Sequence, residues 1–391
     1  MKRLGCRTKR PSPEISRLGF MVPVEHDSDP EPGSGTIVAM AKFVVTPASR
    51  AQREAWTGGT IPDVERVRPG LWSIPVPIPV NPLRYVLVYA LELPDGVAIV
   101  DAGWNTDEAY EALCSGLRVA GYAITDVKGV LVTHIHPDHY GLAGRVREAS
   151  GAWIALHPAD AALLRERYDD EAIDGLVRRE RTLLDRCGVP AATLDELAGA
   201  SMMIRHMVSM ARPDRLVEDG DDLGLPGWDL RAIWTPGHSP GHLCFVSPER
   251  RVLFSGDHVL AKITPMVAVH PQSPPNPLAD YLDSLAAVGG LEVDEVLPAH
   301  EYRFLELGAR VDSVLAHHEE RLAEIERVVA GHDGVTCWDT ATRLTWSRPW
   351  ETIPPFMRRS ANNETLAHLV WLEAKGRVRR SPGEPDLWHP Q

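Results

Sequence analysis

The 391-residue chain has few cysteines: Cys6, Cys114, Cys187, Cys244 and Cys337 are odd in number, scattered, and form no C-x-x-C pair. This spacing excludes a disulfide framework or a cysteine zinc ribbon, and points to reduced thiols in a cytoplasmic protein. Long apolar runs are missing too. Stretches such as "YVLVYALEL" (85–93) stop far short of the roughly 20 residues that span a bilayer, so no membrane partner is expected. The basic residues near the start (Lys2, Arg3, Arg7, Lys9, Arg10, Arg17) are followed by no apolar segment, so no signal peptide is expected. Positive charge is in deficit, with 41 Lys and Arg against 54 Asp and Glu and a net charge of −13. Such a surface repels phosphate backbones, which disfavours a nucleic-acid partner.

What is present is enough for a large core: 44% of residues are apolar. Residues 1–60 lack periodicity and include the polar "HDSDPEPGSG" tract, so they read as a mostly disordered extension. From Val64 to about residue 305, short Val- and Ile-rich strands alternate with helical patterns, which gives an α/β layered domain over 61–305. Within it, 158–213 breaks the alternation with three helical patterns in a row, a helical insertion placed to act as a lid. Met203, His206, Met207 and Met210 share one face if the third helix runs through "SMMIRHMVSM". Residues 306–391 form a second module, with a long amphipathic helix and then a helix-plus-hairpin pattern ending in Arg377, Arg379 and Arg380. His317 and His318 on that long helix have no ligand partner at useful spacing and read as surface residues.

One stretch carries more polarity than folding alone explains. "VLVTHIHPDHYGLAG" (130–144) follows a greasy run with His134, His136, Asp138 and His139. If the strand continues through this run, His134 and His136 point to the same side, and Asp138 and His139 follow in the turn after Pro137. Imidazole and carboxylate in this arrangement suit zinc and similar divalent ions. Four other apolar strands end in ligand-type residues: Asp101 in "VAIVDAG", His238 in "AIWTPGHSPGH", Asp257 in "VLFSGDHV" and His300 in "EVLPAHE". Sites in α/β sheets gather at the C-terminal ends of strands.

These motifs resemble those of the metallo-β-lactamase fold superfamily. Thr133 to Gly141 matches T-H-x-H-x-D-H-x-G without a gap, and "TPGHSPGH", "FSGDH" and "LPAHE" follow in order. The resemblance covers about residues 64–305 and implies an αββα sandwich with one or two metals at the sheet edge. It implies that His134, His136 and His238 hold one metal, that Asp138, His139 and His300 hold the second, and that Asp257 bridges them. Asp101 would orient a ligand. Two zinc ions are expected, with iron or manganese as alternatives. A metal-bound hydroxide would then cleave a small ester, thioester or lactone, with Asp138 guiding a proton to the leaving group. Glu301 stands where the family usually has glycine and could alter the pocket's polarity. The C-terminal module resembles a small winged-helix fold.

Three other functions fit parts of the pattern: a phosphodiesterase or nuclease of the same fold, a mono-iron sulfur dioxygenase, and a non-catalytic metal-binding regulator. The segment between Asp257 and His300 is too short for the extra domain of β-CASP nucleases. The partners expected are a small-molecule substrate and, compatibly with the chain, a second copy in a homo-oligomer. His157, His242, His258 and His270 lie near the motifs but read as packing or supporting histidines, and Tyr140 as a packing residue. Lys262 could meet an anionic substrate group.

Overall fold

The computed structural model describes residues 44–391 except 80, 170 and 200–205. Helix α1 (Arg50–Thr57) comes first, its N-terminus capped by Ser49 Oγ, which accepts from Gln52 N–H at 3.2 Å. The expected extension therefore needs a correction over 44–60. Gln52 and Trp56 are buried against the sandwich, and the 46–48 backbone bonds to 303–305. Residues 1–43 lie outside the described residues.

Seven strands form a mixed sheet in sequence order: β1 (Glu65–Arg68), β2 (Leu71–Pro77), β3 (Tyr85–Leu93), β4 (Gly96–Val100), β5 (Val127–Leu131), β6 (Trp153–Leu156) and β7 (Arg215–Leu216). The first four pair antiparallel, while β4 to β7 pair parallel. Strand β4 is buried at every position, as a parallel strand covered on both faces must be. Helix α2 (Asp107–Val119), capped by Thr106, packs on β2 at Gly116, where a Cβ would sit 2.2 Å from Ile74. Between β5 and β6 come the short α3 (Pro137–Tyr140) and α4 (Ala143–Ser150).

The insertion follows as α5 (Pro158–Tyr168), α6 (Ile173–Arg186) and α7 (Ala191–Gly199). The third expected helix is shorter than its pattern: α7 ends at Gly199, and residues 206–213 form no more than a single turn. Met202 and Met203 lie outside the described residues, while Met207 and Met210 stand on a stretch that is not part of a continuous helix. Instead Met207 O accepts from Asn105 N–H at 2.9 Å and Ser209 N–H donates to Gly141 O at 2.7 Å. Gly141 and Gly144 permit this approach, since a Cβ on either would meet that backbone within 2.6 Å.

A second sheet of four strands runs β11-β10-β9-β8, from β8 (Arg231–Trp234), β9 (Leu243–Ser247), β10 (Val252–Gly256) and β11 (Glu295–Pro298). The two sheets face each other across Tyr89 and Phe254, whose ring centroids lie 5.4 Å apart edge to face. Tyr89 Oη donates to Pro298 O at 2.8 Å and Tyr85 Oη to Glu301 O at 2.6 Å, so the buried phenols also tie the sheets together. Buried Arg303 adds a clip, pairing with Glu65 on β1 and Glu295 on β11. Helix α8 (Pro277–Gly289) covers part of the second sheet, completing the expected αββα sandwich.

The C-terminal module comprises α9 (Leu307–Ala330), α10 (Cys337–Ala341), α11 (Pro355–Ala374) and a hairpin of β12 (Val378–Ser381) and β13 (Leu387–Pro390). The basic end of this hairpin is held in ion pairs: Arg377 with Glu326, and Arg380 with Glu373. Here a second correction arises, because His318 is buried at 2% exposure. Its Nδ1 lies 3.1 Å from His368 Nε2, and His368 Nδ1 lies 2.8 Å from Glu364 O. A carbonyl only accepts, so His368 carries its proton on Nδ1 and takes one from His318 on Nε2. The sequence pattern hid this pair because the partner histidine lies 50 residues on.

Burial pushes His368 down to about 4 and His318 well below its ordinary value of 6.5. A histidine held neutral in the fold contributes stability that is complete above pH 6.5 and is lost as pH falls from 6.5 towards the folded value. Each such group can cost up to about 1.4 kcal/mol per pH unit in that window. A His318→Leu/His368→Leu double variant should therefore lose about 3 kcal/mol less than the wild type between pH 6.5 and 5. Urea unfolding at both pH values measures this, and equal losses in the two proteins would refute it.

Candidate metal centre

Five strand ends deliver polar side chains to one edge of the sandwich. Asp101 follows β4, residues 134–139 follow β5, His238 follows β8, Asp257 follows β10 and His300 follows β11. The strand expected to carry His134 and His136 ends earlier, at Leu131. Beyond it, Asp101 Oδ1 takes the Thr133 N–H at 2.8 Å, and both histidines stand on the loop. The loop side of each strand end is where the ladder releases the backbone and side chains can converge.

All seven expected ligands come together. His134 Nε2 lies 2.9 Å from His136 Nδ1, which lies 3.1 Å from His238 Nε2. Asp138 offers one oxygen 3.4 Å from His300 Nε2 and the other 3.7 Å from His139 Nε2. Asp257 sits between the two groups, at 3.5 Å from His139 Nε2, 3.6 Å from His238 Nε2 and 3.3 Å from His300 Nε2. Three donor sets each lie within 4.8 Å and could hold a metal ion: His134, His136 and His238; His134, His139 and Asp257; Asp138, His139 and His300.

The outer nitrogens fix which way the rings present themselves. His139 Nδ1 lies 2.8 Å from Asp101 Oδ2, His300 Nδ1 2.9 Å from Tyr85 O, and His238 Nδ1 2.8 Å from Met266 O. These acceptors require a proton on Nδ1, so each Nε2 lone pair faces inward, as metal ligands need. The inner atoms are those of a cation site. His139 Nε2, His300 Nε2 and Asp257 Oδ1 are buried with no hydrogen-bond partner, a state that costs about 1–3 kcal/mol for each such group unless something binds it.

Electrostatics agree. Burial pushes His134, His136 and His238 down, which leaves neutral imidazoles. At His139 and His300 burial works the same way, but the surrounding carboxylates, Asp257 foremost, outweigh it. They hold His139 well above its usual value and His300 up to about 10. Burial tends to raise Asp138 and Asp257, yet His139 and His300 hold both below the carboxylate range. The pocket thus favours positive charge at its centre.

Supporting residues set the geometry. Asp101, at φ 62°, takes both the Thr133 N–H and the Thr133 hydroxyl and backs His139. His242 is no ligand: its Nε2 accepts from Asp257 N–H at 3.1 Å and its Nδ1 faces Thr235 Oγ1 at 2.7 Å. Gly256, at φ 52°, allows this, since a Cβ would lie 2.7 Å from His242 Nε2. His157 caps α5 and stacks on Trp234, His258 packs edge-on to Tyr281, and His270 Nδ1 accepts from Gln272 N–H. Tyr140 is buried, and its hydroxyl bonds Ala211.

Glu301 plays a part different from the one expected. It is fully buried at φ 69°, and its carboxylate accepts from Lys262 N–H and from Ile263 N–H at 3.1 Å. It clamps the 262–263 loop instead of setting the polarity of an open pocket, and burial pushes its carboxyl up to about 6.

Asp160 was missed. Its Oδ2 accepts from Ile135 N–H at 2.8 Å and from Ser239 Oγ at 2.9 Å, and its Oδ1 accepts from Gly241 N–H at 2.7 Å. One carboxylate thus joins the His134–His136 segment to the His238 segment. In the sequence it looks like any acidic residue in the first turn of a helix, which is where it stands.

Comparison with known proteins agrees with this geometry. The sequence profile of the metallo-beta-lactamase superfamily matches residues 81–300, and the chain belongs to that superfamily. A metallo-beta-lactamase family protein of Thermus thermophilus superposes with a TM-score of 0.72 at 32% identity, covering 83% of this chain and 100% of its own. Among curated proteins, the chain is similar to the acyl-coenzyme A thioesterase MBLAC2 of Gallus gallus, with 34% identity over 168 residues, 41% of this chain and 53% of the relative. The match therefore spans about half of that thioesterase. The probable metallo-hydrolase YqjP of Bacillus subtilis is 25% identical over 313 residues, 77% of this chain and 91% of its own.

Proposed function

We propose that the protein is a hydrolase with two zinc ions that cleaves a small carbonyl ester, and that acyl thioesters are its preferred class. The observation that carries this reading is the convergence of seven donors, three of whose inner atoms (His139 Nε2, His300 Nε2 and Asp257 Oδ1) are buried and unpartnered. His134, His136 and His238 would hold one cation, Asp138, His139 and His300 the other, and Asp257 reaches both. When bound, the cations acidify water and polarise a carbonyl. Asp101 keeps the His139 ring oriented. The Asp138 carboxyl, 14% exposed, opens to the pocket and is placed to hold a proton at an oxygen and pass it to the leaving group. The preference for thioesters rests on the similarity to the chicken thioesterase over 168 residues of the chain.

Elemental analysis of the purified protein is expected to give about two zinc equivalents per chain, together with turnover of acyl thioesters in a panel that includes lactones and phosphodiesters. Activity on phosphodiesters alone would move the assignment to the nuclease side, and a single iron to the dioxygenase. Two bound metals with no turnover of any substrate would leave a metal-binding regulator.

A further inference from the structure

Between β10 and α8 the chain runs from Asp257 to Asn276 without a helix or strand of its own. Loops of this length inside a compact fold are uncommon and usually functional. This one begins at Asp257 itself. Further along, Met266 O lies 2.8 Å from His238 Nδ1 and so sets which way that ring faces. The course of 258–265 therefore decides how Asp257 and His238 stand relative to each other.

Backbone without a ladder must find its hydrogen-bond partners elsewhere, and here side chains supply them. Tyr281 on α8 donates its hydroxyl to His258 O at 3.0 Å, and Ser255 Oγ donates to Val259 O at 2.8 Å. Arg310, in the first turn of α9, contributes three bonds. Its Nε donates to Leu260 O at 2.7 Å, and its Nη2 donates to Lys262 O at 2.9 Å and to Ile263 O at 2.8 Å. The residue is only 5% exposed. Glu301, which follows His300, accepts from the N–H groups of Lys262 and Ile263. A guanidinium on the carbonyls and a carboxylate on the N–H groups thus hold residues 262 and 263 between opposite charges. The helix that carries Arg310 is itself seated closely on α8, since a Cβ on Gly289 would lie 2.8 Å from Val311.

We propose that Arg310 is a positioning residue of the metal centre: through the carbonyls of residues 260, 262 and 263 it fixes the loop that sets Asp257 against His238. This rests on the metal-hydrolase reading of the site. It also extends the site to α9, which lies beyond the segments that supply the seven donors. Arginine suits the task because its donors are spread along a rigid fork, so one side chain can span several carbonyls.

The test is a titration of the metal-stripped full chain with cobalt(II), whose visible absorption reports the geometry of its ligands, together with kcat and KM of the zinc-loaded protein. Arg310→Lys keeps the charge, but its single nitrogen cannot span the carbonyls that Nε and Nη2 reach separately. Arg310→Met removes the donors altogether. Both variants should bind cobalt about tenfold or more weakly, with an altered spectrum, and should lower kcat more than they raise KM. Leu322→Ala, at a fully buried position further along α9, controls for lost stability alone. It should unfold at a lower temperature with the metal affinity and spectrum of the wild type. Should Arg310→Met fail to fold, Arg310→Lys decides. Wild-type affinity and spectrum in Arg310→Lys, or an equal loss of affinity in Leu322→Ala, would overturn the proposal. Two bound cations without turnover of any substrate would overturn the hydrolase reading, and the positioning role would stand as long as the titration separates Arg310→Lys from Leu322→Ala.

Discussion

Asp257→Ala is expected to yield a folded protein that has lost most of its bound metal and more than about a hundredfold in turnover. Outer partners of metal ligands already cost about 10- to 100-fold when removed, and Asp257 lies within 3.6 Å of His139, His238 and His300, where it would reach both proposed metal positions. Its loss also removes the foremost carboxylate that holds His139 and His300 up, so both rings become easier to deprotonate. His134→Ala should behave alike at the first position, where its Nε2 meets His136. Elemental analysis and steady-state rates check both variants. Full activity with the metal absent would refute the mechanism.

The second large effect belongs to Asp160, which touches no expected metal ligand side chain. Asp160→Ala leaves the Ile135 and Gly241 N–H groups and the Ser239 hydroxyl without their acceptor in a buried place. Each lost partner costs about 1–3 kcal/mol, so a total loss of about 3–5 kcal/mol is expected. Metal affinity should fall about 10- to 100-fold as the His136 and His238 loops move independently. Asp160→Asn should not rescue it, since its NH₂ would face donors at one of the two oxygen positions. Thermal unfolding and metal titration read the two effects separately. Unchanged metal affinity in a destabilised variant would reduce Asp160 to a purely structural role.

The seven side chains that converge were legible as candidates because each motif is local. A short apolar strand followed by histidine or aspartate announces itself, and the order of the motifs carries the fold. What depends on distant partners stayed hidden. Asp160 acts on residues 25 and 81 positions away, and His318 is buried by His368, which only tertiary packing could reveal. Glu301 was noticed as a departure from glycine, but its role depends on the 262–263 loop folding back over it. The third insertion helix was misjudged for a further reason: helical spacing in "SMMIRHMVSM" competes with backbone docking at Gly141 and Gly144, and docking prevails over 206–213.

The donors are divided between the halves of the sandwich. Residues 134–139 extend from the seven-stranded sheet, whereas His238, Asp257 and His300 extend from the four-stranded one. Any ion held among them is therefore also a rivet across the seam. If the proposed metal is held there, withdrawing it would do more than silence the proposed chemistry, because the same loss would loosen the joint on which the architecture closes.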